Sequence, residues 1–146
     1  MEEKICRPVT LTSFQDNRGA LAAVEGNDTL PFEIRRVFFL YDLAPHAVRG
    51  SHAVRNEQFL LCVHGACRVR THDGKAETVF SLKAPTEGLY VPAMTWREIF
   101  DPTADCVLAV FSDQHYDPDA YVRDFDTFLR LKAENAGAAD APAGKD

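Results

Sequence analysis

Short apolar or alternating runs, broken by turn residues about every 8–12 positions, dominate the chain and predict strands rather than helices. Ile34 to Tyr41 (I-R-R-V-F-F-L-Y) is β-branched and aromatic. Gln58 to Val63 (Q-F-L-L-C-V) is almost continuously apolar and ends at a His64-Gly65 turn. Ala66 to Thr71 alternates with period two, so one face is expected inside and the other outside. Asp73-Gly74 is a hairpin signal, and Thr78 to Leu82 resumes the extended pattern. Gly88 to Pro92, Trp96 to Phe100 and Cys106 to Phe111 are further strands, the last one buried. Nearer the N-terminus, Asp16-Asn17-Arg18-Gly19 reads as a turn into an Ala20–Glu25 strand, and 26–31 as a plain loop. This rhythm predicts an all-β protein, a jelly roll of two packed sheets. From Pro118 to Lys132 the period changes. Tyr121, Val122, Phe125, Phe128, Leu129 and Lys132 fall at helical spacing, which predicts a short amphipathic helix. The Ala, Gly, Asp and Pro residues of 133–146 predict a disordered tail, leaving 1–132 as a single domain.

Composition narrows the function classes. The 146 residues are 46% hydrophobic and 26% charged, a globular balance. With 16 Lys+Arg against 22 Asp+Glu the net charge is −6. That argues against sequence-independent nucleic-acid binding, which needs a surplus of cations. It leaves room for a small phosphorylated ligand held by a few arginines. No run approaches the roughly 18 apolar residues of a membrane span. Glu2, Glu3 and Lys4 occupy the place of a signal peptide's apolar core. Of the four cysteines, Cys62, Cys67 and Cys106 lie in apolar runs and read as free, buried thiols; the fourth is Cys6. A reduced, cytoplasmic protein is expected.

The densest polar stretch is Arg49-Gly50-Ser51-His52-Ala53-Val54-Arg55-Asn56-Glu57-Gln58. In a strand, Gly50, His52 and Val54 share one face, with Arg49, Ser51, Ala53 and Arg55 on the other. An imidazole facing a barrel interior is a general base of suitable strength near neutral pH, although a hydrogen-bonded strand-end histidine is the more ordinary outcome. A metal is not expected. A His-x-His pair would need a second imidazole at position 54, which is Val, and one His with Glu57 is a poor site. Arg35, Arg36, Arg49, Arg55, Arg68 and Arg70 lie in or beside strands, and at least half should be surface ion pairs. Arg68 and Arg70 share a face that must meet solvent or a ligand groove. Tyr90 and Trp96, flanking the Pro92 turn, are candidate ligand walls. The chain has no phosphate loop, dinucleotide fingerprint or G-x-S-x-G elbow.

Several pieces, in order, resemble the cupin-fold nucleotide-sugar 3,4-ketoisomerases. They are D-N-R-G-A-L at 16–21, P-F-E-I-R-R-V at 31–37, R-G-S-H-A at 49–53 and E-Q-F-L-L-C-V-H-G-A-C-R-V at 57–69. G-L-Y-V-P at 88–92, W-R-E at 96–98, D-C-V at 105–107 and D-A-Y-V-R-D-F-D-T-F at 119–128 continue the match. The resemblance implies a metal-free, cofactor-free jelly-roll homodimer acting on a dTDP-linked 4-keto-6-deoxy sugar. Such enzymes move the carbonyl of dTDP-4-keto-6-deoxyglucose from C4 to C3 through an enediol, on the way to dideoxy-aminosugars. His52 matches the first His of the family's R-G-x-H-A-H motif and would be the base. Arg49 and Arg36 match motif arginines that would contact the diphosphate or sugar. Gln58, Arg68, Tyr90 and Trp96 match positions that line the barrel, and these four together with Arg97 are expected to bind substrate.

The chain departs from the family pattern at three places. Val54 replaces the second His of the motif, Arg97 stands in W-R-E where W-H-E is usual, and Phe38-Phe39 replace two tyrosines. The proton for C4 is therefore left to His52 itself, to water, or to a residue the sequence does not single out. Two other readings compete with the isomerase. One is epimerisation on the same class of nucleotide sugar; the other is a catalytically silent nucleotide-sugar binder.

Overall fold

The computed structural model describes residues 4–139, with side chains as far as Ala136. Strands β1 to β6 span Arg7–Thr10, Ser13–Asp16, Gly19–Ala22, Arg36–Leu40, Arg49–Val54 and Gln58–His64. Strands β7 to β11 span Cys67–His72, Glu77–Leu82, Glu87–Val91, Trp96–Phe100 and Val107–Ser112. A 3₁₀ turn at Pro118–Ala120 leads into the short β12, Tyr121–Val122, and then helix α1, Phe125–Ala139. One five-stranded sheet has the order β1-β9-β6-β11-β4, a second β12-β5-β10-β7-β8, and β2-β3 form a separate hairpin. All these pairings are antiparallel. This is the jelly roll expected from the sequence, with the two sheets face to face.

The burial pattern explains why β6 lacks alternation. Leu60 and Cys62 point between the sheets with Leu89, Val91, Leu108 and Val110, opposite Val69, Leu82 and Ile99 of the second sheet. Phe59 and Leu61 point the other way, into an outer layer with Leu11, Leu30, Phe32 and Tyr90. A strand buried on both faces reads as a continuous apolar run. On the far side of the second sheet, Ala53, Met94, Trp96 and Val122 pack against Phe128 of α1. The β7–β8 hairpin falls where Asp73-Gly74 predicts it, pairing Cys67 with Leu82 through His72 with Glu77. The Asp73 carboxylate closes the turn by accepting from the backbone N–H of Lys75 and Ala76 at 2.8 and 2.9 Å.

Cys62, Cys67 and Cys106 are buried and unbonded. Their sulfurs lie within 4.8 Å of one another, a convergence their sequence spacing does not announce. All four cysteines are free, as the apolar settings of Cys62, Cys67 and Cys106 predict for those three.

The C-terminal region differs from expectation at both ends. The helix begins at Phe125, not Pro118, because the Asp124 carboxylate caps it, accepting from the Thr127 N–H at 2.9 Å and hydroxyl at 2.7 Å. Upstream, Tyr121 and Val122 extend the second sheet by pairing with Val54 and Ala53. Downstream, the helix continues to Ala139, seven residues beyond Lys132. Alanine-rich sequence needs no packing partner to favour the helical backbone, so composition alone was a poor guide to disorder at 133–139. The rest of the expected tail, 140–146, lies outside the described residues.

Candidate active site

A cavity of about 340 Å³ opens between the two sheets. Phe38 and Leu40 of β4, Leu60 of β6, Val110 of β11 and Ile99 of β10 form its apolar wall. Its polar lining is Arg49, Ser51, His52, Gln58, Arg97, Tyr121 and Arg123. The size falls at the lower end of small-molecule sites, and the mix of an apolar wall with a few convergent polar groups is typical of them.

A bulge on β5 creates the polar side. Arg97 pairs with His52, but Ile99 pairs with Arg49, so β5 carries one extra residue between these contacts. Gly50 absorbs it with a left-handed backbone, φ +67°. As a result Arg49 and His52 both line the cavity, where simple alternation would send Arg49 to the opposite face, while Ser51 borders it with its hydroxyl turned away to Glu98 at 3.3 Å. The His52 ring is half-buried and tilts against the Tyr121 ring at 4.8 Å between centroids. Burial, then the charges of Arg97 and Arg123, pull the imidazole down to about 4, against a smaller opposing effect of the Gly50 backbone. His52 is therefore neutral near pH 7, with a lone pair available for a proton.

Arg97 is 2% exposed at the cavity wall. Its Nε donates to the Thr95 carbonyl at 3.3 Å, and its Nη1 donates to the Gln58 carboxamide oxygen. Its Nη2 is buried without a partner among the described residues. Burial lowers its pKa to about 10, so it remains cationic. Arg36 edges the same face of β4, with its Nη1 3.5 Å from the Tyr121 hydroxyl and its guanidinium 4.3 Å above the Phe38 ring. Arg123 lies 4.8 Å over the other aromatic wall, Tyr121. Among the described residues, Arg36, Arg49, Arg97 and Arg123 make no salt bridge, whereas Arg18, Arg35, Arg68 and Arg70 each do. Four arginines without carboxylate partners around one cavity of an acidic protein form a site for an anion with several charges.

Of the residues singled out in the sequence, His52, Arg49, Gln58 and Arg97 come together in the cavity, and Arg36 stands beside it. Three do not. Arg68 lies on the outer face of the second sheet, paired with Asp101 at 2.8 Å and stacked over Phe100. Tyr90 is fully buried on the other side of its sheet, because Leu89 and Val91 take the inward positions of β9. Its hydroxyl donates to Glu57 at 2.7 Å, and burial followed by that carboxylate holds the phenol well above its usual range. Trp96 alternates with Arg97 and so faces the helix, edge-on to Phe125 at 5.2 Å. The sequence reading missed Tyr121 and Arg123 as cavity residues. Their period-two spacing was the available signal, masked by apolar positions that also fit a helix.

A family model described as FdtA, WxcM-like, C-terminal, matches residues 4–133. A TDP-4-oxo-6-deoxy-alpha-D-glucose-3,4-oxoisomerase from Aneurinibacillus thermoaerophilus is 37% identical over 135 residues, covering 92% of this chain and 95% of the relative. Among solved structures, the WlaRB TDP-quinovose 3,4-ketoisomerase from Campylobacter jejuni is 40% identical with a TM-score of 0.84, covering 88% of this chain and 99% of its own. QdtA, a sugar 3,4-ketoisomerase from Thermoanaerobacterium thermosaccharolyticum in complex with TDP, is 30% identical with a TM-score of 0.86, covering 89% and 96%.

Proposed function

The chain belongs to the FdtA, WxcM-like family, and from that premise we propose that it is a 3,4-ketoisomerase of a TDP-linked 4-keto-6-deoxyhexose, with TDP-4-keto-6-deoxyglucose as substrate. One observation about the site supports this most: a neutral imidazole shares a cavity with Arg49, Arg97 and Arg123, with Arg36 beside it, and none of the four has a carboxylate partner among the described residues. A nucleoside diphosphate supplies the missing negative charge, and a ketone makes its neighbouring C–H acidic enough for an imidazole to remove.

His52 takes the proton from C3. The electrons flow to the C4 oxygen and give an enediol, and return of a proton to C4 leaves the carbonyl at C3. Arg97, whose Nη2 needs an acceptor, and the other three arginines hold diphosphate and sugar oxygens. Phe38, Leu40, Leu60, Ile99 and Val110 face the deoxy side of the sugar. Gln58 orients Arg97 through their hydrogen bond. None of these steps needs a metal or an external redox partner, since the isomerisation is internally balanced.

A homodimer is part of the same reading. β4 is an edge strand of the first sheet. It presents Val37 and Phe39, with Tyr41 just beyond, more than half exposed in alternating positions. A second copy is the simplest cover for such an edge. A cytoplasmic setting fits Cys62 and Cys106, whose sulfurs lie 3.6 Å apart without a bond.

Proton NMR of TDP-4-keto-6-deoxyglucose with the protein in deuterated water tests the reaction. The expected result is loss of the C4 carbonyl, appearance of a C3 carbonyl and deuterium at C4. Deuterium incorporation with the carbonyl still at C4 would instead indicate epimerase-type chemistry, and an unchanged spectrum with TDP bound would indicate a silent binder.

A further inference from the structure

The isomerisation moves two protons, one between carbons and one between oxygens, and His52 is the only imidazole lining the cavity among the described residues. A guanidinium does not give up its proton in proteins, and a carboxamide does not titrate. Ser51 has its hydroxyl turned to Glu98 at 3.3 Å. That leaves the Tyr121 hydroxyl as the remaining group in the lining able to give and retake a proton. Resting on the isomerase reading, we infer that Tyr121 is a second catalytic residue, carrying the oxygen-bound proton while His52 carries the carbon-bound one.

The placement follows from strand pairing. Tyr121 is the register partner of Val54 on β5. Directly opposed residues of an antiparallel pair project from the same face, and Val54 lies two positions beyond His52, so all three side chains share that face. The 4.8 Å ring contact between His52 and Tyr121 agrees with this. The apolar Val54 offers no competing donor or acceptor. Two arginines flank the phenol: Arg36 Nη1 is 3.5 Å from the hydroxyl, and the Arg123 guanidinium is 4.8 Å over the ring. Neither has a carboxylate partner among the described residues, so both are free to stabilise a phenolate.

The proton ledger closes. His52 removes the C3 proton, the C–H electron pair becomes the C3–C4 double bond, and O4 takes the hydroxyl proton of Tyr121. The enediol then faces an imidazolium and a phenolate. The phenolate removes the O3 proton, that O–H pair forms the C3 carbonyl, and the double-bond pair takes a proton at C4 from His52, whose imidazolium N–H has meanwhile exchanged with water, so that solvent deuterium reaches C4. Both side chains end as they began. Because His52 alone serves both carbons from one wall, a proton leaves C3 and a proton reaches C4 on the same face of the sugar.

Tyr121→Phe tests this, because it keeps the ring against His52 and removes only the hydroxyl. The turnover number on TDP-4-keto-6-deoxyglucose and the Kd for TDP are measured for this variant and the wild type. The expected result is a loss in kcat of at least about 100-fold, the usual worth of a positioned acid–base group, with TDP affinity changed by no more than about threefold. A variant that keeps kcat within about threefold of the wild type overturns the inference and leaves the isomerase reading standing. Parallel loss of TDP affinity and kcat also overturns it, since Tyr121 would then be only a wall of the binding site. A wild-type protein that binds TDP but leaves the substrate unchanged fails the isomerase reading, and the role of Tyr121 falls with it.

Discussion

Arg97 concentrates the cost of the site in one residue. A guanidinium 2% exposed, with one donor unpaired and no carboxylate partner among the described residues, destabilises the ligand-free protein and is positioned to gain from an anion. Arg97→Met is expected to melt no lower than the wild type while losing at least tenfold in TDP affinity, about 1.4 kcal/mol. A clear fall in melting temperature with TDP binding intact would contradict that assignment. His52 gives a second consequence. Its imidazole titrates near 4 in the folded protein and near 6.5 when unfolded, so between those values the unfolded chain holds more protons. Stability contributed by this group is thus full above about pH 6.5 and is lost as the pH falls towards 4. Urea unfolding across that window should show a shallower pH dependence for His52→Asn than for the wild type. The difference is at most about 1.4 kcal/mol per pH unit, the slope of a single proton, and smaller because water partly reaches the ring. Identical slopes would contradict the depressed value. Legibility at this scale was uneven. His52, Gln58 and Arg97, singled out in the sequence, line the cavity, whereas Tyr90 and Trp96 lie outside it. Adjacent strand residues face opposite ways, and flanking a turn does not say which face is inward.

Elements were legible wherever one period ruled. β6 through β11 lie close to their apolar runs, and the β7–β8 hairpin follows from Asp73-Gly74. The reading failed where two periods fit the same residues. Tyr121 and Val122 satisfy helical spacing with Phe125 and Phe128, yet pairing with β5 claims them for the sheet, and the Asp124 cap starts the helix later. The β5 bulge was equally invisible, because Gly50 carries no pattern signal for an extra residue. Helix α1 is held mainly by its first half. Phe128 is fully buried against Trp96, while residues 133–136 are exposed. Phe128→Ala should therefore cost about 3–5 kcal/mol in unfolding free energy. Ending the chain after Lys132 should leave turnover unchanged. Loss of activity on that truncation would give the end of α1 a part in the site that its exposure denies it.

For the whole molecule, the two sheets bring residues distant in sequence to one cavity: Phe38 from β4, His52 from β5, Gln58 from β6, Arg97 from β10 and Tyr121 from β12. The exposed apolar edge at Val37, Phe39 and Tyr41 predicts a particle of twice the 16.3 kDa chain mass in sedimentation equilibrium. Phe39→Glu is expected to shift that particle towards the monomer, and an unchanged mass would place the dimer contact elsewhere. The central claim is that this cavity isomerises a TDP-bound keto sugar with His52 as the base. Its most direct test follows deuterium at C4 of the sugar by NMR, for wild type and His52→Ala side by side, after both are shown to bind TDP. The prediction is deuterium at C4 and a carbonyl at C3 with the wild type, and a rate lower by at least about 100-fold with the variant. Equal rates for the two proteins, or no reaction with either, would contradict the account.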